Sequence, residues 1–189
     1  MHPALFLDRD GVIIENRADY VKSIAEVEFI PQALEALARL ATRGHHTVIV
    51  TNQSAIGRGL LTQATLDAIH AYVLEHITAA GGRIDGIYVC PHHPAEQCEC
   101  RKPAPGLFLR AAHELDIDLS ASVMIGDNLT DVLAAQAVGA KPILVSTGLG
   151  AAQQLSVVNG SVVRCHDLAH AVETLLHSGW PAPTRHQAV

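Results

Sequence analysis

Short apolar runs and longer amphipathic stretches alternate along most of this chain. Six runs have the length and β-branched content of buried strands: "ALFLD" (4–8), "HTVIVT" (46–51), "RIDGIYVC" (83–90), "SVMIGD" (122–127), "KPILVS" (141–146) and "SVVRC" (161–165). Between them apolar residues recur at helical spacing. Leu34, Leu37, Leu40 and Ala41 mark a helix over 31–43, which Gly44 stops. Leu66, Ile69, Val73 and Ile77 form the stripe of a second helix over 62–80, with Thr62 as N-cap and Gly81–Gly82 at its end. Further helices are expected at 105–115, 130–138 and 167–178, and no pattern assigns 15–30. Strands alternating with helices predict an α/β domain, a Rossmann-like doubly wound parallel sheet covered on both faces. One domain is expected over 1–178, with a flexible C-terminal tail at 179–189.

Composition narrows the partners. The chain has 189 residues, 49% of them hydrophobic, enough for one core without disulfides. Its net charge of −6 argues against nucleic acid or an anionic membrane as the main partner, since both need a basic face. No apolar run can span a bilayer, and the start "MHPALFLDRDG" lacks the basic lead of a signal peptide. The expectation is a cytoplasmic monomer acting on a small molecule. In a reducing compartment clustered cysteines are more readily metal ligands than disulfide partners.

The chemistry lies where each strand runs out. "ALFL" leads into Asp8, Arg9, Asp10 and Gly11; "TVIV" leads into Thr51, Asn52, Gln53 and Ser54; "SVMIG" leads into Asp127 and Asn128, with Asp131 shortly after. Parallel strands point one way, so these groups converge on the carboxyl edge of the sheet, where open α/β sheets bind ligands. Taken alone, "DRDG" can be a plain turn. It is not a calcium loop, because the sixth position from Asp8 is Ile13 and the twelfth is Asp19. Converging carboxylates call for a cation, and an all-oxygen set suits Mg²⁺. Asp8 is then placed to attack phosphorus, and Asp10, on the same side of an extended chain, to protonate the leaving oxygen and later activate water. Mg²⁺ would be held by Asp8, the Asp10 carbonyl and Asp127, with Asp131 behind them. Thr51 and Lys102 would stabilise the phosphoryl oxygens.

The "GIYV" strand ends in the loop "CPHHPAEQCECRKP", which holds three of the four cysteines. Cys90, His92, Cys98 and Cys100 form a Cys₃His set suited to structural Zn²⁺, although C-x-H and C-x-C are tighter than the usual C-x₂-C. His93 can replace His92 in that set, and a Cys98–Cys100 bridge would be strained. Arg101 and Lys102 read either as solvated bases or, pinned by Cys100, as cations aimed at the catalytic edge. Arg58, in "IGRG", reads equally as a phosphate contact or an exposed loop residue. Cys165 reads as a buried small residue. His45, His46, His70, His76 and His113 have no partner pattern and read as structural or exposed.

"FLDRDGVI", "VTNQSAIGRG", "CPHHP", "CECRKPAPG" and "IGDNLTD", in this order, resemble the haloacid dehalogenase superfamily of phosphatases. Within it they resemble the subgroup of heptose-bisphosphate and histidinol-phosphate phosphatases, over about residues 4–148. The resemblance implies Asp8 as nucleophile, Asp10 as acid/base, Thr51 and Lys102 as phosphate ligands, Asp127 as magnesium ligand, and Cys90, His92, Cys98 and Cys100 as zinc ligands. It places Asn52, Gln53, Arg58 and Arg101 around the substrate. It also implies no large cap domain, the zinc-binding loop standing over the active edge instead. A heptose 1,7-bisphosphate losing its 7-phosphate is the expected reaction, with histidinol phosphate the alternative substrate. "NQSAIGRG", "CPHHP" and "RKPAPG" match the heptose pattern; the short spacer between His92 and Cys98 and Asn128 after the motif aspartate do not.

Overall fold

The structure, a computed structural model, describes residues 1–153 and 162–178. The elements run β1 (Ala4–Leu7), α1 (Ala33–Leu40), β2 (His46–Asn52), α2 (Gln63–Ala79), β3 (Gly86–Cys90), α3 (Gly106–Leu115), β4 (Val123–Gly126), α4 (Leu129–Ala137), β5 (Lys141–Val145), α5 (Gly150–Gln153), β6 (Val163–Cys165) and α6 (Leu168–Ser178). All six strands pair in parallel, in the order β3-β2-β1-β4-β5-β6. The tail at 179–189 and residue 161 of the predicted sixth strand lie outside the described residues.

Side chains alternate across the sheet, so each inner strand feeds two cores. Leu5, Leu7, Ile49 and Ile125 pack with Leu37 of α1, Leu66, Ile69, Val73 and Ile77 of α2, and Leu168 and Val172 of α6. Ala4, Phe6, Val48, Val50 and Met124 face the other way, onto Leu107, Phe108 and Ala111 of α3 and Ala134 and Ala135 of α4. This is the doubly wound arrangement that the apolar runs predict. Thr62 caps α2 as expected, its Oγ1 accepting from the Thr65 N–H at 3.1 Å.

Two departures have local causes. The third strand starts at Gly86 instead of residue 83, because the Asp85 carboxylate accepts the Thr47 N–H at 2.8 Å where a ladder carbonyl would otherwise sit. The unassigned stretch 15–30 folds back onto the turn that follows β1. Glu15 N–H donates to the Glu28 carbonyl and Ile30 N–H to the Ile13 carbonyl, and Ile24–Glu26 is a single 3-10 turn. No second domain is inserted between strands among the described residues, and no helix among them is long and apolar enough to cross a membrane.

Candidate active site

With β1 between β2 and β4, successive connections leave in opposite directions, and a crevice opens beyond the ends of β1 and β4. A cleft of about 680 Å³ opens there, within the ~300–1,000 Å³ usual for small-ligand sites. Asp8, Asp10, Thr51, Asn52, Gln53, Arg101, Lys102 and Asp127 all line it. Arg58 is not among its lining residues; it sits exposed on the turn after β2.

Asp8, Asp127 and Asp131 bring carboxylate oxygens within 4.8 Å of one another. Lys102 answers them from a fully buried position: Nζ lies 3.0 Å from Asp8 Oδ2, 2.6 Å from Asp131 Oδ1 and 2.7 Å from the Val50 carbonyl. Burial works to lower the Lys102 pKa, and the Asp131 and Asp8 carboxylates overcome it, holding the ammonium above its ordinary value. One lysine does not balance three carboxylates. Burial, with Asp8 beside it, pushes Asp127 up to about 8; burial pushes Asp131 up to about 6 against the pull of Lys102. An all-oxygen set with two uncompensated charges fits a hard divalent cation, with Asp8 and Asp127 open to it and Asp131 held by Lys102. The backbone is shaped to keep these oxygens close. Gly11 has φ +80, and a Cβ there would stand 2.2 Å from Asp127 Oδ2.

Asp10 is fixed differently. The Arg9 guanidinium donates to both of its oxygens, Nη2 at 3.0 and 2.9 Å and Nε at 3.3 Å. Gln53 Nε2 donates to Asp10 Oδ2 at 2.7 Å and to Thr51 Oγ1 at 2.9 Å. Arg9 Nη2 also donates to Gln53 Oε1, and its Nη1 meets His70 Nε2 at 3.1 Å. Arg9 is 1% exposed and His70 8%. Burial, then the neighbouring Arg9, lowers the His70 pKa to about 4, so the ring is neutral and accepts the Arg9 N–H. Neither Arg9 nor His70 is marked as part of the site by the sequence patterns. Arg9 carries one usable signal: alternation in an extended chain turns it inward while Asp8 and Asp10 face the cleft.

Asn52 performs a backbone task. Its Oδ1 accepts the Lys102 N–H and its Nδ2 donates to the Lys102 carbonyl, both at 3.1 Å, which ties Lys102 to the end of β2. The loop before Lys102 gathers four donor atoms. Cys90 Sγ is 3.6 Å from His92 Nδ1 and 3.5 Å from Cys98 Sγ; Cys100 Sγ is 3.2 Å from His92 Nδ1 and 3.5 Å from Cys98 Sγ. A tetrahedron with Zn–S of ~2.3 Å has edges of roughly 3.8 Å, so these spacings fit zinc with little adjustment. Burial raises the Cys90 thiol and pushes Cys100 up to about 12, whereas at Cys98 burial is outweighed by hydrogen bonds with Cys100 and Cys90, which bring it down to about 7. His92 joins the thiols, whereas His93 Nδ1 accepts from the Ala95 N–H and caps the 3-10 turn Pro94–Glu96. The loop is laid directly on the turn after β2: a Cβ on Gly57 would stand 2.3 Å from His93 N.

The far wall holds residues that the apolar pattern leaves unassigned. Asn16, Arg17 and Tyr20, from the 15–30 excursion, line the cleft together with Pro94 and Gln97 of the Cys/His loop. Arg17 Nε and Arg101 Nη1 are buried there with no hydrogen-bond partner, Arg17 Nε standing 3.7 Å from Asp19 Oδ1. No periodicity marks such residues, because their place depends on a loop folding back over a distant edge.

A parallel sheet that gathers an Asp-x-Asp turn, a strand-end threonine, a buried lysine and a second acidic turn at its switch point defines a hydrolase of the haloacid dehalogenase (HAD) type. Residues 99–171 match the HAD-hydrolase-like family. The chain is 41% identical over 174 residues to the D-glycero-beta-D-manno-heptose-1,7-bisphosphate 7-phosphatase of Bordetella bronchiseptica, covering 91% of this chain and 97% of that one. It is 44% identical over 155 residues to the Escherichia coli protein of the same name, covering 77% and 80%. The crystal structure of the B. bronchiseptica D,D-heptose 1,7-bisphosphate phosphatase, complexed with magnesium and phosphate, superposes with a TM-score of 0.89 at 39% identity, covering 93% and 99%. The chain therefore belongs to the heptose-bisphosphate phosphatase family of HAD-like hydrolases.

Proposed function

We propose that this protein removes the 7-phosphate of a D-glycero-D-manno-heptose 1,7-bisphosphate through an aspartyl-phosphate. The observation that carries the reading is the single cleft in which Asp8, Asp10, Thr51, Lys102 and Asp127 meet. Asp8 attacks phosphorus, the bond from phosphorus to the sugar oxygen breaks, and Asp10 delivers a proton to that oxygen as it leaves. Asp10 then takes a proton from water, whose oxygen attacks phosphorus and returns Asp8 to a free carboxylate. Lys102 and the Thr51 hydroxyl hold the phosphoryl oxygens, and the Lys102 bond to Asp8 can be shared with them. Asp8, the Asp10 carbonyl and Asp127 are the groups to hold Mg²⁺, which when bound offsets the repulsion between carboxylate and phosphate. Cys90, His92, Cys98 and Cys100 are the groups to hold a structural Zn²⁺.

A bisphosphate suits the rest of the cleft. Arg101 offers a buried nitrogen without a hydrogen-bond partner on its wall, Arg17 Nε is met only by Asp19 at 3.7 Å, and a second phosphate supplies acceptors for both. Phosphate release from heptose 1,7-bisphosphate and from histidinol phosphate tests the reading. The heptose should have the higher kcat/KM, and Asp8→Asn should lose about a thousandfold or more on it. A higher kcat/KM on histidinol phosphate overturns the substrate; an active Asp8→Asn overturns the nucleophile.

A further inference from the structure

The proposed chemistry uses Asp10 but not the buried groups behind it. Arg9, His70 and Gln53 come from three places in the fold: the turn after β1, helix α2, and the end of β2. They form one unbroken chain of contacts, from His70 Nε2 to Arg9 Nη1, and from Arg9 Nη2 to both Asp10 oxygens and to Gln53 Oε1. Gln53 closes it by donating to Asp10 Oδ2 and Thr51 Oγ1. Such a chain fixes a plane. The two Asp10 oxygens are held by donors from two sides, so the carboxylate can turn only if Arg9 turns. His70 anchors the far nitrogen of Arg9, and arginine carries only donors, so the imidazole must be the acceptor. A side chain this deeply buried needs its donor nitrogens partnered, and His70 partners Nη1.

We propose that His70 and Arg9 are positioning residues for the proton transfer by Asp10: His70 fixes the guanidinium, and the guanidinium fixes the carboxylate in the direction of the leaving oxygen. The idea rests on the acid/base role of Asp10. It makes a demand that a general packing role does not. A sugar oxygen leaves poorly without a proton, whereas p-nitrophenolate leaves readily without one. Loss of Asp10 orientation should therefore be felt on sugar phosphates and hardly on p-nitrophenyl phosphate. The quantity to compare is kcat/KM, which covers events through departure of the leaving group and omits hydrolysis of the aspartyl-phosphate.

The test measures kcat/KM of the metal-loaded protein and its variants on a primary sugar phosphate and on p-nitrophenyl phosphate. His70→Leu keeps the volume and removes the acceptor. It should lose about thirtyfold or more on the sugar phosphate and under about threefold on p-nitrophenyl phosphate. His70→Gln, which offers an amide oxygen near the place of Nε2, should recover most of the sugar-phosphate loss. Arg9→Lys keeps the charge but not the fork and carries the same test if His70→Leu does not fold. Equal losses on both substrates, no loss on either, or no recovery in His70→Gln would overturn the proposal. Asp10→Asn is the control. If it too falls equally on both substrates, the acid/base reading of Asp10 fails; if it discriminates and His70→Leu does not, only the positioning idea fails.

Discussion

Asp10 and Lys102 face the same cleft but are held there in opposite ways. Lys102 is surrounded by acceptors, two carboxylates and the Val50 carbonyl, whereas Asp10 is surrounded by the donors of Arg9 and Gln53. The histidine behind Arg9 makes this network sensitive to acid. His70 titrates near 6.5 in an unfolded chain and at about 4 in the fold, so between those values the unfolded chain binds the extra proton. Its contribution is whole above pH 6.5 and is lost as pH falls toward 4, on the order of 3 kcal/mol over the window. Chemical denaturation of His70→Gln should show a flatter loss of stability from pH 6.5 to 4 than the parent; identical slopes would remove His70 as the cause. The cleft-facing residues Asp8, Asp10, Thr51, Lys102 and Asp127 are legible in the sequence because each sits at a strand end or in a marked loop. Arg9 and His70 are not, because the purpose of a buried polar side chain is set by partners far away in the chain.

At the scale of elements, the Cys/His loop and β2 act as one piece. The Gln53 N–H donates to the Cys90 carbonyl, the Gly57 N–H to the Pro91 carbonyl, and the Asn52 side chain clasps the Lys102 backbone. Loosening the loop therefore moves Lys102 relative to Asp8. Chelation of zinc should raise amide exchange over residues 91–102 and lower kcat/KM by about tenfold or more, since misplacement of a positioned charge by an ångström is costly. A zinc-free protein with unchanged exchange and full activity would break the link. All six strands and the five long helices are readable from apolar spacing, with ends shifted by a few residues. The 15–30 excursion is not, since only Val21 and Ile30 in it are buried and its fold comes from backbone pairing with residues 13–15.

The whole molecule is acidic, and its cleft concentrates that charge. Asp127 and Asp131 are raised to about 8 and about 6, so the fold keeps protons that the unfolded chain releases near pH 4. Without a metal ion these carboxylates cost stability progressively as pH rises from about 4 toward 8. Mg²⁺ should reverse that cost, raising Tm more at pH 8 than at pH 5.5. An equal rise at both pH values would mean that the ion binds elsewhere.

The strand order has a consequence for how the chain is made. β1 is entirely apolar and buried, and its two neighbours are β2 and β4. Synthesis proceeds from the N-terminus, so β1 emerges first and waits with one edge open until residues 123–126 arrive. Asp8, the proposed nucleophile, is therefore made well before Asp127, with three strands and three helices between them in the chain. A nascent chain halted before β4 should hold an apolar strand with one edge unpaired, prone to associate with other chains.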